Sequence, residues 1–121
     1  MSGSPRNSSL GSFGERVAAQ RLVGQGMVLV ERNWRCELGE VDLVLRDGDV
    51  LVFCEVKTRS SAAYGHPLEA VGAAKAQRLR RLAARWLEAH DLRPVGVRID
   101  VVGVLLRDRG APEVEHVRGI G

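Results

Sequence analysis

Two acidic residues and a lysine stand at a spacing that could hold a divalent metal ion beside a reactive water. Asp42 closes the run Gly39-Glu40-Val41-Asp42, and Glu55-Val56-Lys57 follows after an apolar stretch. Carboxylate oxygens bind Mg²⁺ at about 2.1 Å, and the ion keeps positions open for water and phosphate. A neighbouring lysine can hold the attacking water or offset charge that develops on a phosphate. These residue types point to metal-dependent hydrolysis of a phosphodiester bond.

A β-hairpin is the element that must bring these side chains together. Apolar and polar residues alternate over residues 40–46, and a β-rich run follows over residues 50–57, a pattern typical of strands. Between them, Asp47-Gly48 is predicted to be the whole two-residue turn. The pairs that this turn implies are Arg46 with Asp49, Val44 with Leu51, Asp42 with Phe53, and Glu40 with Glu55.

The predicted register places the charged residues on one face, because side chains alternate along each strand. Asp42 and Glu55 become diagonal neighbours with Cα atoms on the order of 7–8 Å apart, and Lys57 joins them. Carboxylates this close repel one another unless a cation or a proton lies between them. The opposite face is predicted to be core, and its residues are Val41, Leu43, Leu45, Val50, Val52, Cys54 and Val56.

A simpler interpretation of the same residues is a solvated strand end, where Glu and Lys form cross-strand ion pairs. The functional interpretation is favoured because the polar residues end a run as apolar as residues 50–54. Glu40 has two interpretations of the same kind. It is either a further metal ligand opposite Glu55 or a surface partner of a nearby arginine, and the metal site is slightly favoured.

The remaining elements predict one α/β domain over residues 11–121, preceded by a flexible arm over residues 1–10. A first helix is expected to begin at Ser12, because Ser12-Phe13-Gly14-Glu15 matches a capping box, and to stop at Gly24 and Gly26. The other expected elements are a strand at 27–30, a polar connection at 34–38, a loop at 60–67, a helix at 68–89, a strand at 97–106 and a short edge strand at 114–117. This order implies a mixed sheet flanked by helices.

Linked motifs in this chain resemble those of a known nuclease superfamily. Asp42 with Glu55-Val56-Lys57 looks like the PD-(D/E)XK motif of the restriction-endonuclease-like proteins. The set Phe13-Gly14-Glu15, Asn33-Trp34-Arg35-Cys36, Gly39-Glu40-Val41-Asp42-Leu43, Phe53-Cys54-Glu55-Val56-Lys57-Thr58-Arg59 and Arg98-Ile99-Asp100-Val101-Val102 more closely resembles the YraN-type family. That uncharacterised bacterial family is grouped with nucleases related to archaeal Holliday-junction resolvases.

The resemblance covers residues 11–106 and carries several implications. It implies a restriction-endonuclease-like αβββαβ core, a site for Mg²⁺ (or Mn²⁺), and nucleic acid as the substrate. Val41 stands where a proline usually precedes the motif aspartate, a departure that the superfamily tolerates. Resolvase relatives carry an acidic residue on the first helix that can join the metal site, so Glu15 is a candidate catalytic residue. The capping box explains Glu15 equally well, and both interpretations stay open.

A basic stretch follows the acidic motif. The chain has a formal net charge of +3 and a pI of about 9.4, which permits a polyanionic partner. On the predicted helix, Arg78, Arg81 and Arg85 lie together beside the apolar stripe, and Lys75 falls on the inward side near the helix start. Such a stripe predicts salt-sensitive, sequence-independent phosphate contacts. The alternative is an ordinary solvated helix face.

Composition excludes several other classes. Cys36 and Cys54 form no CxxC pair, so no zinc site is predicted. No apolar stretch approaches the ~18 residues that a membrane span needs, and the polar first residues carry no secretory signal. A cytoplasmic protein that does not engage membranes is expected. Aromatic residues make up 4% of the chain, which does not support a stacking platform for single strands.

The function expected is a metal-dependent endonuclease acting on DNA, with branched or damaged DNA as candidate substrates. Asp42 and Glu55 would hold the metal, Lys57 would assist the water or the transition state, and Glu15 or Glu40 would complete the site. The alternative is a non-cleaving nucleic-acid-binding accessory protein with the same fold. A weaker third option is an interaction module without a nucleic-acid role. A homodimer is expected only by analogy with the resolvases.

Overall fold

A mixed five-stranded sheet with one helix against each face forms the framework of the molecule. The computed structural model describes residues 10–60 and 72–120. The elements in chain order are α1 (Leu10–Gly24), β1 (Val28–Cys36), β2 (Gly39–Asp47), β3 (Val50–Arg59), α2 (Ala73–His90), β4 (Gly96–Leu105) and β5 (Glu113–Val117). This order confirms the predicted α/β class with an αβββαβ core, followed by the predicted edge strand.

The strands lie in the sheet in the order of the sequence, β1-β2-β3-β4-β5. β1, β2 and β3 form an antiparallel meander, β3 and β4 are parallel, and β5 is antiparallel to β4. A parallel pair needs a crossover connection, and α2 is the helix of that crossover. β3 pairs with β4 along its whole length, from Val50↔Gly96 to Arg59↔Leu105, so the motif strand lies in the middle of the sheet.

Two apolar cores lie on opposite faces of the sheet. On one face, Ala18 and Leu22 of α1 pack with Leu43, Leu45 and other buried strand residues. On the other face α2 covers a second cluster, made of Val41, Val44, Leu51, Phe53, Leu79, Leu82, Ala83, Trp86 and Ile99. The prediction of a single core face was therefore incomplete, because α2 also buries apolar residues on the face that carries the motif glutamate. Of the two helices in the described ranges, neither is long and apolar enough to cross a membrane.

Three element boundaries differ from the predictions. α1 begins at Leu10, so Ser12 lies inside the helix and is not its N-cap; residues 1–9 of the predicted arm lie outside the described residues. β1 continues to Cys36, because residues predicted as a connection pair with β2, as in Trp34↔Val41. α2 begins at Ala73 rather than at residue 68, with an extended Gly72 as its N-cap. Residues 61–71, which hold most of the predicted loop and the first predicted helical turn, are not described.

The β2–β3 turn is Gly48-Asp49, one residue later than predicted, since Asp47 pairs with Val50. Gly48 has φ +65° and stands at the first central position, where type II′ hairpin turns place glycine. The predicted pairings are therefore wrong: Phe53 lies opposite Val44 and not opposite Asp42. The register differs by two, and a shift of two leaves each side chain of the ladder on its predicted face, whereas a shift of one would reverse it.

The alternation of side chains along β2 breaks at Asp42. Leu43 packs in the α1-side core while Val41 packs in the α2-side core, although residues two apart in a regular strand share a face. Asn33 lies on β1 between the residues that pair with Val41 and Leu43. Its φ of 54° is left-handed. Both strands are therefore irregular at this level, and Asp42 lies where β2 turns from one face to the other.

Candidate functional site

Asp42 is held against β3 through its side chain. Backbone pairing between β2 and β3 reaches Leu43↔Cys54. Beyond that pair, the N–H of Val56 donates to Asp42 Oδ2 at 2.7 Å. A side-chain acceptor thus takes a backbone donor of β3 just where the ladder ends, and this hydrogen bond places the Asp42 carboxylate beside Glu55, as the sequence predicted.

The Asp42 carboxylate is surrounded by negative charge. Its pKa is raised from 3.8 to about 7, chiefly because burial disfavours the charged form, although the Val56 hydrogen bond opposes the shift. Glu15, Glu55 and Glu40 each raise the pKa further by repulsion. Asp42 is therefore the centre of a cluster of four carboxylates that a bound cation would stabilise. We call Asp42, Glu55, Glu15 and Glu40 the carboxylate cluster.

Glu55 differs from Asp42 because it has abundant positive partners. Its side chain is largely buried, and its Oε2 lies 3.1 Å from Nζ of Lys57 and 2.9 Å from Nζ of Lys75. A guanidinium nitrogen of Arg78 lies 3.7 Å from the other oxygen. Burial acts to raise the pKa of Glu55, but the two lysines outweigh it and the pKa is lowered. Glu55 is consequently ionised, and both of its oxygens contact cationic side chains.

The two lysines on Glu55 are not equivalent. Burial and the neighbouring Lys75 lower the pKa of Lys57, against the opposing effect of Glu55. The pKa of Lys75 is raised despite its burial, because it bonds to the Lys57 amine and to Glu55. Lys57 belongs to the motif strand itself and lies 3.1 Å from Glu55, a position that suits a group that assists an attacking water.

Asn33 organises the outer half of the carboxylate cluster. Its Nδ2 donates to Glu15 Oε1 at 3.0 Å and to Glu40 Oε2 at 3.1 Å, so one amide links an acid of α1 to an acid of β2. Glu40 also lies 3.6 Å from Arg35. Thus Glu15 points into the cluster and does not cap a helix, while Glu40 has the predicted arginine partner and its role as a metal ligand stays a prediction. Asn33 appears in a quoted motif but had no predicted role. The available signal was its residue type, because asparagine adopts the left-handed conformation more readily than most non-glycine residues.

Three of the four predicted basic residues line a cleft at the start of α2. Lys75, Arg78 and Arg81, together with Gly72 and Ala74, line a largely open space of about 450 Å³, and we call this space the basic cleft. Because Lys75 and Arg78 also contact Glu55, the basic cleft adjoins the carboxylate cluster. The fourth residue, Arg85, lies further along the helix and is ion-paired with Glu37. Arg85 is therefore not among the residues that line the basic cleft.

The carboxylate cluster fits a hard divalent cation by the chemistry of its donors. Every candidate ligand is a carboxylate, a donor set that suits Mg²⁺ or Mn²⁺ better than zinc. Within residues 10–60 and 72–120, however, no three side chains of His, Cys, Asp or Glu stand in a ligating arrangement. Glu55 is bonded to lysines and Glu15 is bonded to Asn33. The carboxylate donors thus lie together, but two of them, Glu55 and Glu15, are already bonded to other side chains of the protein.

A second buried aspartate, Asp100 of β4, lies apart from the carboxylate cluster. It is 0% exposed, and Arg98 donates to both of its oxygens at 2.9 and 3.0 Å. His116 Nε2 lies 2.8 Å from Oδ2, and the N–H of Gly119 donates to Oδ1 at 3.0 Å. These contacts hold the segment after β5 against β4, and we call them the Asp100 clamp.

Comparison with known proteins identifies the family. The model of uncharacterised protein family UPF0102 matches residues 14–104. A UPF0102 protein of a Nocardioides species is 63% identical over 93% of this chain and 91% of its own length. Relatives from Streptomyces coelicolor and Beutenbergia cavernae are 60% and 61% identical, and each match covers 93% of this chain. The matches cover 88% of the Streptomyces protein and 96% of the Beutenbergia protein. The family resemblance predicted from the motifs is confirmed: this chain belongs to the UPF0102 family.

Proposed function

We propose that this protein is a divalent-metal-dependent endonuclease that hydrolyses phosphodiester bonds in DNA. The observation that carries the proposal is the convergence of Asp42, Glu55 and Lys57 at one end of the β2–β3 ladder, beside the basic cleft. Buried acids that repel one another next to a concentration of basic residues suit a site that takes both a metal ion and a phosphate.

The residues divide into three roles. Asp42 and Glu55 would hold the cation, with Glu15 or Glu40 completing its ligands. When bound, such an ion polarises the phosphate and lowers the pKa of a bound water. Lys57, whose pKa is lowered, orients the water and relays its proton. Lys75, Arg78 and Arg81 bind phosphates of the backbone, without reading the bases.

A second candidate function is a nucleic-acid-binding accessory protein that does not cleave. It is favoured by the contacts of Glu55, which Lys57, Lys75 and Arg78 neutralise without any metal. The lack of a preformed three-ligand arrangement in the described part of the chain points the same way. In this alternative the basic cleft carries the function and the carboxylate cluster is a structural relic.

Single-turnover cleavage separates the two functions. Labelled four-way junction, duplex and single-stranded DNA are incubated with Mg²⁺ or Mn²⁺, and metal binding is titrated in parallel. Asp42→Asn and Glu55→Gln should lose metal binding and cleavage together. Lys57→Ala should keep the metal while its rate falls on the order of 10²–10³, as is usual when one charge-stabilising group is removed. Glu88→Gln, an exposed acid at the far end of α2, is the matched control and should behave as the parent.

The outcomes decide between the candidates. A parent protein that binds DNA but cuts none of the substrates with either metal favours the accessory protein. Cleavage that survives in Glu55→Gln would mean that the activity belongs to a contaminant or to another site.

DNA binding has its own test. Replacing Arg78, Arg81 and Arg85 with Ala should weaken binding and lower the salt slope by up to about 1.8, the value for the two phosphate contacts of Arg78 and Arg81 on duplex DNA, because Arg85 is already ion-paired with Glu37. The charge-matched control replaces three exposed arginines that lie elsewhere, Arg21, Arg93 and Arg109. Equal loss in both triple variants would show that net charge matters and that the position of the arginines does not.

A further inference from the structure

Lys75 belongs to two sites at once. Its amine lies 2.9 Å from Glu55 in the carboxylate cluster, and the same residue lines the basic cleft with Arg78 and Arg81. It stands in the first turn of α2, two residues after the helix begins at Ala73, and its side chain is about one-quarter exposed. A flexible lysine in this position reaches either a carboxylate or an anion in the cleft by rotation of its own side chain.

Positive charge in this region is distributed unevenly. Glu55 has three cationic partners, Lys57, Lys75 and Arg78. Asp42 has a backbone N–H from Val56 and, among the described residues, no ion pair. Two ammonium groups thus share one carboxylate oxygen while the acid beside it is uncompensated. One lysine already suffices to neutralise one carboxylate, so the second is available for another partner.

We propose that Lys75 is an exchangeable counter-ion of Glu55. It neutralises Glu55 when no divalent cation is present, and it transfers to a backbone phosphate in the basic cleft when Glu55 becomes a metal ligand. The inference rests on the proposed metal site. It adds a regulatory coupling to that site, because the group that leaves the carboxylate is the group that then contacts the substrate.

The exchange makes metal and nucleic acid bind with positive coupling. Metal alone must displace an ammonium from Glu55, and nucleic acid alone must draw the same ammonium away from its carboxylate. Each ligand lifts this cost for the other. Coupling between two sites is reciprocal and typically changes affinity by about 5- to 150-fold, so Mg²⁺ should tighten DNA binding by a factor in this range.

Lys75→Met tests the exchange, because methionine keeps an unbranched side chain and removes the ammonium. Arg81→Met is the matched control, since Arg81 lines the same cleft but none of its contacts is with Glu55. Mg²⁺ affinity is measured by calorimetry without DNA. DNA affinity is measured by fluorescence anisotropy on a labelled phosphorothioate duplex, which resists cleavage, with and without Mg²⁺. Thermal unfolding verifies that each variant is folded, and Lys75→Gln serves as a second variant.

The two variants should differ in a definite way. Lys75→Met and Lys75→Gln should bind Mg²⁺ about fivefold more tightly or better, because no ammonium competes, and the effect of Mg²⁺ on DNA affinity should fall close to onefold. Arg81→Met should bind DNA more weakly, with Mg²⁺ affinity and coupling as in the parent. Unchanged Mg²⁺ affinity together with undiminished coupling in both Lys75 variants overturns the exchange.

The test also separates this inference from the proposed function. A parent that binds Mg²⁺ and shows coupling through Lys75 but cleaves no DNA supports the exchange and overturns the nuclease. A parent that cleaves DNA while its Lys75 variants keep full coupling supports the nuclease and overturns the exchange. A parent that binds no divalent metal overturns both.

Discussion

Two aspartates on the same sheet, the half-buried Asp42 and the fully buried Asp100, are in opposite electrostatic situations. Asp100 has a guanidinium on both oxygens, an imidazole and a backbone N–H, and although burial acts to raise its pKa, these partners lower it. Asp42 has one backbone N–H and three neighbouring acids, and its pKa is raised to about 7. Both side chains lie close to β3, so depth in the sheet does not explain the difference.

A structural acid and a functional acid differ in how their charges are neutralised. A buried charge whose hydrogen bonds are all satisfied contributes to a specific fold. A buried charge that lies among like charges destabilises the fold. Such a charge is typical of a site where a bound ligand neutralises it. On this criterion the Asp100 clamp is structural, whereas the surroundings of Asp42 are those expected of the proposed binding site, although both are acids in apolar strands.

The largest expected effect is on the Asp100 clamp. Asp100→Ala leaves Arg98 and His116 facing each other without the carboxylate, and breaking a buried ion pair in this way typically costs about 3–5 kcal/mol of unfolding free energy. Urea unfolding followed by circular dichroism measures the loss. Asp108→Ala, at an exposed aspartate of the β4–β5 connection, should change stability by less than about 0.5 kcal/mol. If both variants lose equally little, the clamp is not structural.

Asp42→Asn should act in the opposite direction. The folded pKa of about 7 lies above the ordinary value of 3.8, so folding favours the protonated acid. The resulting stability is complete below about pH 4, declines as pH rises through 7, and leaves a net cost at higher pH. Removing the charge should therefore raise the unfolding free energy by about 2–3 kcal/mol at pH 8 without metal.

The pH profile provides the check on this prediction. Between about pH 4 and pH 7 the parent should lose stability relative to Asp42→Asn, whereas the contribution of Asp100, whose pKa is lowered, should be lost only below about pH 4. Asp49→Asn in the exposed turn is the control for removal of an aspartate charge. Parallel profiles for the parent and Asp42→Asn would mean that Asp42 is not a strained acid.

A smaller effect is expected where α1 meets β3. A Cβ added to Gly14 would stand 2.0 Å from Thr58 Oγ1, closer than atoms can approach. Gly14→Ala should therefore cost about 1–3 kcal/mol through overpacking and displace the adjacent Glu15 from the cluster. Adding Thr58→Ala removes the clashing hydroxyl and should restore most of the stability. Failure of this rescue in urea unfolding would mean that the loss has another origin.

The smallest effect is expected at Asn33. Glycine accepts the left-handed φ of 54° without strain, so Asn33→Gly removes the two side-chain hydrogen bonds and little else. Both bonds are exposed, and the loss should be about 0.5–1.5 kcal/mol. Mg²⁺ affinity should fall because Glu15 and Glu40 are no longer held together. An unchanged Mg²⁺ affinity would show that these two acids do not contribute ligands.

The local patterns of the chain predicted the strand content well. Period-two alternation located β2, and continuous apolar runs located β3 and β4, to within one or two residues, because β3 and β4 are buried on both faces of the sheet. The turn was misplaced by one residue because the Asp-Gly pair usually puts glycine second, whereas here Gly48 takes the first central position. The predicted faces of the paired residues are still correct, because a register shift of two residues leaves each side chain on the same face of the sheet.

The site was predictable in its acids and not in its counter-charges. Asp42, Glu55 and Lys57 lie on adjoining strands of one hairpin, so their spacing in the sequence brings them together, although the break in β2 and the Val56 hydrogen bond position Asp42. Lys75 reaches Glu55 only because α2 packs across the sheet, and helix periodicity alone assigned it to phosphate binding. Asn33 was missed for a related reason: its contacts to Glu15 and Glu40 depend on a left-handed residue opposite the break in β2.

The order of strands in the sheet has a consequence for how quickly the two regions assemble. β1, β2 and β3 are joined by short turns, so most of the carboxylate cluster forms from contacts that close small loops. β4, which carries Asp100, pairs with β3 only after the whole α2 crossover, and such non-local pairing is slow. The clamp should therefore form after the folding barrier, and Asp100→Ala should accelerate unfolding while leaving the folding rate nearly unchanged.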